Sequence, residues 1–441
     1  MRTMLFFDDW CLESYRNVVR RLGRPQWVPE ATLTDGLTCG IYNFPLVFRD
    51  GAAWKGLYQG IVENEKPVLL LAESDDGIHW RKPDLSHLPT VNPRRAPNEV
   101  FHRGNDYDRA PAYFDPREKD PQRRIKAITV FRDGKTFTEG LGVSADGIHW
   151  EFEPFDRGGG HTDSPYCIFY NRKARKYVVV TRPGPTNRRI AFTETADFRS
   201  FSELRVVLHP DPLDEPLVQF YGMPVFEYED MYVGLLWLLH CDPGEIGFVK
   251  RLGVIDAQLA YSYDGTAFNR TFREPFVTRN PRGEHGGGCV YPSSMLVDDE
   301  HRIRIYSGGS YGEHYLDLDK EDAALMLHTL RLDGFMYLEC PNHIGTLMTR
   351  CIRLRSSELR LNVRAPFGTV RVQLSDEKGI PLPGFSYAEC VPFRGDELWH
   401  VPRWIPKQTS AALPQERARV EVELTNAEIY AIRGDFVFHW Q

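Results

Sequence analysis

The sequence predicts an all-β chain: a five-bladed β-propeller over residues 36–340 followed by a C-terminal β-sandwich over 341–441. Two observations predict it. The first is a pattern that recurs five times. Each copy opens on a polar or aromatic residue, a proline and a β-rich run: Y-N-F-P (42–45), D-R-A-P (108–111), T-D-S-P (162–165), Y-G-M-P (221–224) and C-V-Y-P (289–292). Each closes on an aspartate turn: S-D-D-G-I-H-W (74–80), S-A-D-G-I-H-W (144–150), T-A-D-F-R-S-F (195–201), S-Y-D-G-T-A-F (262–268) and R-L-D-G-F (331–335). Successive prolines lie 66, 54, 59 and 68 residues apart, and successive turn aspartates 70, 51, 67 and 69. A supersecondary unit at such a period marks a solenoid, propeller or array, and five β-rich copies fit a propeller, which closes radially and leaves few open edges. The second observation is a change of pattern after residue 340. There S-E-L-R-L-N-V (357–363), T-V-R-V-Q-L (369–374) and R-V-E-V-E-L (419–424) alternate apolar and polar residues, as strands with one solvated face do.

Residues 1–35 read as an arm. Leu5-Phe6-Phe7 is expected to be a short strand, 12–22 a short helix, and Arg2, Arg16, Arg20, Arg21 and Arg24 make the arm locally basic. Within the repeats, K-Y-V-V-V-T (176–181) and M-Y-V-G-L-L-W (231–237) read as buried strands, and R-I-R-I-Y (302–306) as a half-buried one. Insertions at 92–106 and 271–288 interrupt the pattern, and loops that long in a compact domain are often functional. In the C-terminal region D-E-K-G (376–379) sits where a tight turn belongs.

The net charge of −7 argues against nucleic acid or an anionic membrane as partner. No run of about 18 apolar residues predicts a membrane span. The opening M-R-T-M-L-F-F-D-D-W reaches acidic residues too soon for a secretory signal, so the chain as given is expected in the cytoplasm. Eight cysteines without C-x-x-C spacing read as buried free thiols rather than a zinc site. No cofactor and no metal is expected, and a homo-oligomer is compatible with the sequence.

In the aspartate turns the carboxylate can accept from nearby backbone N–H groups, the glycine supplies positive φ, and the tryptophan folds back. Asp76, Asp146, Asp197, Asp264 and Asp333 are therefore assigned structure and no chemistry. The chemistry is expected where the five opening strands begin, because proline is tolerated at a strand's first residue and the side chains before it converge on one mouth. These are Asn43, Asp108 and Arg109, His161 and Asp163, Gln219 and Tyr221, and Tyr291 with Glu284 and His285 upstream. Carboxylates, arginine, histidine and aromatics gathered at one mouth suit a sugar, and two carboxylates in different environments can divide acid and base roles.

Proline-headed strands, the S-x-D-G-x-x-W turns and a trailing sandwich resemble the five-bladed glycosidases of glycoside hydrolase families 32 and 43, and the uncharacterised bacterial proteins labelled family-32-like. The resemblance spans nearly all of the chain after the arm. It implies a glycosidase whose carboxylates stand at the strand entries. T-D-S-P places Asp163 where those families carry an acid/base or a residue tuning it. D-R-A-P places Asp108 one residue before Arg109, whereas family 32 has R-D-P. Asn43 stands where those families keep an aspartate, and Tyr221 where family 43 keeps a glutamate.

The catalytic carboxylates are thus expected to be Asp163, Asp108 and Glu284, with Asp106 and Glu215 in reserve. The substrate is expected to meet Asn43, Arg109, His161, Arg182, Gln219, Tyr221, His285 and Tyr291. Each has a competing structural reading: Asp163 pairing Arg182, Asp108 in a salt bridge, Glu284 on a solvated glycine-rich loop, His161 simply hydrogen-bonded. Trp237 lies in so apolar a strand that it reads as core. The expected function is hydrolysis of a furanoside or short oligosaccharide. A non-catalytic carbohydrate-binding propeller and a glycoside phosphorylase, with Arg109, Arg182 and His285 holding phosphate, are the alternatives.

Overall fold

Strands make up nearly every element of the protein, a computed structural model that describes residues 1–34, 38–39, 45–62, 67–88, 96–100, 112–133, 136–155, 167–183, 188–242, 252–314, 324–405, 408–409 and 417–439. Among those residues the one helical element is the single 3-10 turn Pro121–Arg123, capped by Asp120. No described helix is long and apolar enough to cross a membrane. The chain divides into two units, Pro25–Thr329 and Met1–Arg24 with Leu330–Gln441.

Pro25–Thr329 holds five successive groups of antiparallel strands, one for each repeat in the sequence. Repeat one runs Leu46–Asp50, Ala53–Val62, Pro67–Ser74, Trp80–Arg81, and repeat two Ala112–Phe114, Ile125–Asp133, Thr136–Ser144, Trp150–Phe155. Repeat three runs Cys167–Asn171, Lys176–Thr181, Ile190–Thr195, Arg205–Leu208. In repeat four, Gln219–Gly222 and Val225–Tyr228 both pair with Met231–Cys241, which pairs with Gly253–Ser262. Repeat five runs Cys289–Val297, Arg302–Ser310, Ala324–Arg331, and its fourth strand comes from the other end of the chain: Gln26–Leu33 pairs with Ala324–Arg331, Leu33 opposite Leu325.

The core of this unit lies between successive repeats. Leu57 and Leu71 meet Ile125 and Ala127. Ile128 and Val143 meet Ile168 and Val179, and Val178 and Phe192 meet Val225 and Leu236. Val47, Tyr58 and Leu70 of repeat one meet Tyr306 and Leu325 of repeat five, so the last repeat packs on the first. The same closure holds at the inner strands, where the Ser294 hydroxyl lies 3.1 Å from both the Val47 N–H and the Val47 carbonyl oxygen.

Four of the aspartate turns share one construction. The Asp76 carboxylate accepts from the N–H groups of Ile78 and His79 at 2.8 Å while Ser74 Oγ accepts from Gly77 N–H at 2.9 Å. Ser144 with Asp146, Thr195 with Asp197 and Ser262 with Asp264 repeat it. Gly77, Gly147 and Gly265 take positive φ there; in the third turn Phe198 takes it at 58°, buried against Tyr177 with ring centroids 4.7 Å apart. A bulky residue in that region is strained, and this packing holds it. The turns also join repeats. Arg304 of repeat five donates to the Asp76 carbonyl oxygen at 2.6 Å, Lys55 of repeat one to that of Asp146 at 3.1 Å, and Asn171 of repeat three to that of Asp264 at 2.9 Å.

In the second unit, a seven-stranded sheet contains Met336–Thr349, Ile352–Ser375, Phe393–His400 and Arg417–Phe438. The two alternating segments 357–363 and 369–374 belong to the single long strand Ile352–Ser375. The 376–379 turn forms as expected: Gly379 N–H donates to the Asp376 carbonyl oxygen at 3.0 Å, and Gly379 has φ 79°. The expected helix at 12–22 is instead two strands, Leu12–Arg16 and Val19–Leu22, both paired with Met336–Thr349. The strand near the start is Arg2–Leu5, against Arg417–Phe438, and stops before Phe6 and Phe7. A long neighbouring strand satisfies the backbone of these short segments, and that outweighs a local helical pattern.

Asp333 departs from the turn role. It has φ 61°, is wholly buried, accepts from Asn362 Nδ2 at 2.9 Å and pairs with the buried Arg433.

Two outcomes follow. Asp333→Ala removes the buried carboxylate that pairs with Arg433, and breaking a buried pair costs about 3–5 kcal/mol; urea unfolding of the variant reads this directly. Burial alone would raise the Asp264 pKa, but the N–H groups of Ala267 and Thr266 and the hydroxyls of Thr266 and Ser262 hold it down at about 2. A depressed carboxylate stabilises the fold above its unfolded pKa of about 3.9 and loses that effect as pH falls through the folded value. The melting-temperature gap between wild type and Asp264→Asn is therefore expected to be full at pH 6 and to shrink between pH about 4 and about 2.

Candidate functional site

The five opening strands line one cavity of about 630 Å³. Leu46, Ala112, Cys167, Val225 and Ser293, each one or two residues past its proline, all contribute to it. This is therefore the post-proline side of the strands. Arg117 pairs there with Glu227 and lies over the Tyr170 ring at 5.0 Å; Arg172 Nε reaches Glu227 at 3.0 Å. Phe48 and Phe114 stack with centroids 5.1 Å apart.

On the pre-proline side the entries of repeats four and five are described, and their side chains form one cluster. The guanidiniums of Arg182 and Arg188 lie over the Tyr221 ring at 4.9 and 5.5 Å, where the ring's negative face attracts them. Tyr221 Oη is 3.1 Å from His314 Nε2, and Arg188 Nη1 donates to Gln219 Oε1 at 2.7 Å. Tyr291 stands 6.0 Å from Tyr221 and 5.4 Å from Trp237, centroid to centroid. All seven side chains are buried. Trp237 donates Nε1 to the Pro292 carbonyl at 2.9 Å and serves as core, as its strand predicts. In a low-dielectric setting, fixed cations and hydroxyls of this kind can grip an oxygen-rich or anionic group strongly.

Arg182, Gln219, Tyr221 and Tyr291 are thus brought together. Asn43, Asp108, Arg109, His161 and Asp163, with Asp106, lie outside the described residues. Glu284 and His285 sit on the turn 281–287. The Glu284 side chain is exposed there, and His285 Nε2 is 2.9 Å from Tyr311 Oη. The glycines after them serve close backbone packing: a Cβ on Gly288 would stand 2.0 Å from the Gly312 carbonyl oxygen.

Arg188 and His314 were not singled out in the sequence, and a topological signal exists for them. An antiparallel second strand returns to the end where the first began, so the loop after it also lies at the proline end. Arg182 and Arg188 follow Lys176–Thr181, and His314 follows Arg302–Ser310.

The same rule points to His240, near the end of Met231–Cys241. Its Nδ1 is 2.9 Å from Glu215 Oε2 and its Nε2 3.0 Å from Asp256 Oδ1. Burial works to lower its pKa, but the hydrogen bond and charge of Asp256, then those of Glu215, raise it to about 9. The imidazolium is charged at neutral pH and ties Glu215, ahead of Gln219–Gly222, to Gly253–Ser262.

No family model matches this chain, and no curated protein matches it. Solved structures similar to it include a glycoside hydrolase (TM-score 0.49, 12% identity, covering 71% of this chain and 92% of that one). They also include a thermostable family-43 glycoside hydrolase (TM-score 0.47, 14%, 69% and 94%). A third is an N-acetylgalactosamine deacetylase from F. plautii in complex with blood group B trisaccharide (TM-score 0.46, 14%, 71% and 95%).

The raised His240 pKa sets a sign. A histidine whose folded pKa exceeds its unfolded value of about 6.5 stabilises the fold fully below that value and stops doing so as pH rises through the folded pKa. Wild type is expected to melt above His240→Gln at pH 6, with the gap closing by pH about 9.5 in a thermal-melt series.

Proposed function

We propose that Pro25–Thr329 is a five-bladed β-propeller, that the C-terminal region is a β-sandwich, and that the protein is a glycoside hydrolase acting on a furanoside or short oligosaccharide. The observation that carries this reading is the convergence of all five proline-headed strands on one cavity. In this reading the residues ahead of those prolines share a mouth of their own, where the sequence analysis expects Asp163, Asp108, Arg109, His161 and Asn43. The Tyr221 cluster supplies a cationic and aromatic wall for a sugar ring and its hydroxyls. In the proposed reaction one carboxyl group, Asp163, protonates the leaving glycosidic oxygen. A second, Asp108 or Glu284, attacks the anomeric carbon or takes a proton from the attacking water. A carboxyl separation of about 5 Å gives retention and one of about 6.5–9.5 Å inversion.

A second reading is favoured by one observation, the two buried guanidiniums at Tyr221. Arginine pairs suit phosphate as well as sugar, so a phosphorylase would use the same wall to hold the attacking phosphate.

Both readings are tested by a product-release screen against aryl furanosides, aryl pyranosides and fructans, with and without phosphate. Hydrolysis is expected without phosphate, and Asp163→Asn is expected to lower kcat/KM by about 10²–10⁴-fold, the usual worth of a general acid. Turnover only with phosphate establishes the phosphorylase. Silence across the panel, with a sugar still raising the melting temperature, leaves a carbohydrate-binding propeller.

A further inference from the structure

A second cavity of about 510 Å³ opens on repeat four and shares no lining residue with the Tyr221 cluster. Its volume falls within the roughly 300–1,000 Å³ of small-ligand sites. One wall comes from the insertion 271–288 that the sequence marks as unusually long, through Arg273, Pro275 and Arg279. The others come from the approach to Gln219–Gly222 and from the strands Met231–Cys241 and Gly253–Ser262.

The charges here cancel. Three carboxylates, Asp214, Glu215 and Asp256, face three cations, His240, Arg273 and Arg279. Most are already paired: His240 bridges Glu215 and Asp256, and Arg273 reaches Asp214 at 3.1 Å and Asp211 at 2.8 Å. The buried Arg270 adds a bond to Asp214 at 2.7 Å. A cavity with no net charge gives an ion little field to follow. A hydrocarbon would strip water from six charged groups without replacing its hydrogen bonds.

What remains open is a set of separate donors and acceptors. Among the described residues, Glu215 and Asp256 each use one carboxylate oxygen on His240 and keep the other. The Arg279 side chain is exposed and among the described residues bonds to the Gly287 carbonyl oxygen, at 3.1 Å. Beside them Val218, Leu238, Val254 and Pro275 give an apolar surface. Hydroxyls that both donate and accept, on a ring with an apolar C–H face, satisfy all of these at once; charge-assisted bonds of this type are the strong ones.

We propose that this cavity is a second carbohydrate site, which takes one neutral sugar unit between the free oxygens of Glu215 and Asp256 and the guanidinium of Arg279. The site does not require the chain to be hydrolytic. Sugar hydroxyls donate to the two carboxylates and accept from Arg279, while the C–H face lies on Val218 and Pro275.

The test is ligand-observed saturation-transfer NMR on the full chain. The probes are D-glucose, D-galactose, D-mannose, D-xylose, L-arabinose and D-fructose, with D-glucuronate and D-glucosamine as charged probes. At least one neutral sugar is expected to show transfer. Arg279→Ala is expected to weaken it about 10- to 150-fold, since a hydrogen bond to a charged group is worth about 1.5–3 kcal/mol. Glu215→Gln, also at an exposed side chain, is expected to act in the same direction. The proposal is overturned if no neutral sugar binds, if binding is unchanged in both variants, or if a charged probe binds more tightly than every neutral one. Variant-sensitive binding without turnover in the product-release screen sinks the hydrolase reading and leaves this site standing; turnover with variant-insensitive binding does the reverse.

Discussion

The backbone carbonyls of the aspartate turns are where one repeat takes hold of the next. The four turns at Asp76, Asp146, Asp197 and Asp264 satisfy their own N–H groups with a serine or threonine and the aspartate, which leaves their carbonyl oxygens for a neighbour. Arg304, Lys55 and Asn171 fill that role for three of the turns, each reaching from the preceding repeat. The hold of repeat five on repeat one makes the arrangement cyclic, and Tyr306, donating to the Gly77 carbonyl at 2.9 Å, doubles it. A cyclic arrangement constrains every member, because a displaced repeat must displace both neighbours. Close-packed interiors resist such displacement.

The Tyr221 cluster depends on that constraint directly. Its arginines come from repeat three, its tyrosine, glutamine and tryptophan from repeat four, and Tyr291 and His314 from repeat five. No repeat could assemble it alone. The His240 group is built differently, within one repeat, by a histidine locked between two carboxylates. The first arrangement concentrates positive charge against aromatic faces; the second neutralises charge and leaves isolated hydrogen-bonding atoms. Two regions of one unit therefore differ in electrostatic character.

What the sequence made legible was local. The turns read correctly at Asp76, Asp146, Asp197 and Asp264 because an aspartate accepting from backbone two and three residues on needs no distant partner. Asp333 carries the same D-G signature, but its partner Arg433 lies 100 positions away, and no local pattern records that. Residues 12–22 failed for a similar reason, since their pairing strand begins at Met336. The proline entries drew attention to Tyr221 and Tyr291, which do meet. They drew it away from the loops after the second strands, and Arg188, His314 and His240 stand at or next to those loops. Glu284 read as exposed on a glycine-rich loop, and it is; of the glycines after it, Gly286 packs on Met326, Gly287 on the Pro281 carbonyl and Gly288 on Gly312.

The strand Gln26–Leu33 has a history as well as a place. It leaves the ribosome before any of the five repeats, yet its hydrogen-bonding partner is completed only when Ala324–Arg331 emerges. At about 5–20 residues per second, Leu33 waits roughly 15–60 s for Leu325. Throughout that interval an unpaired β-segment is available to any other nascent chain nearby. Its sequence, Q-W-V-P-E-A-T-L, places Pro29 and Glu30 at its middle. Proline and charge are the residues that blunt an open edge against wrong pairing. The segment that completes the sheet thus carries the residues that disfavour wrong pairing while its own partner is still being made.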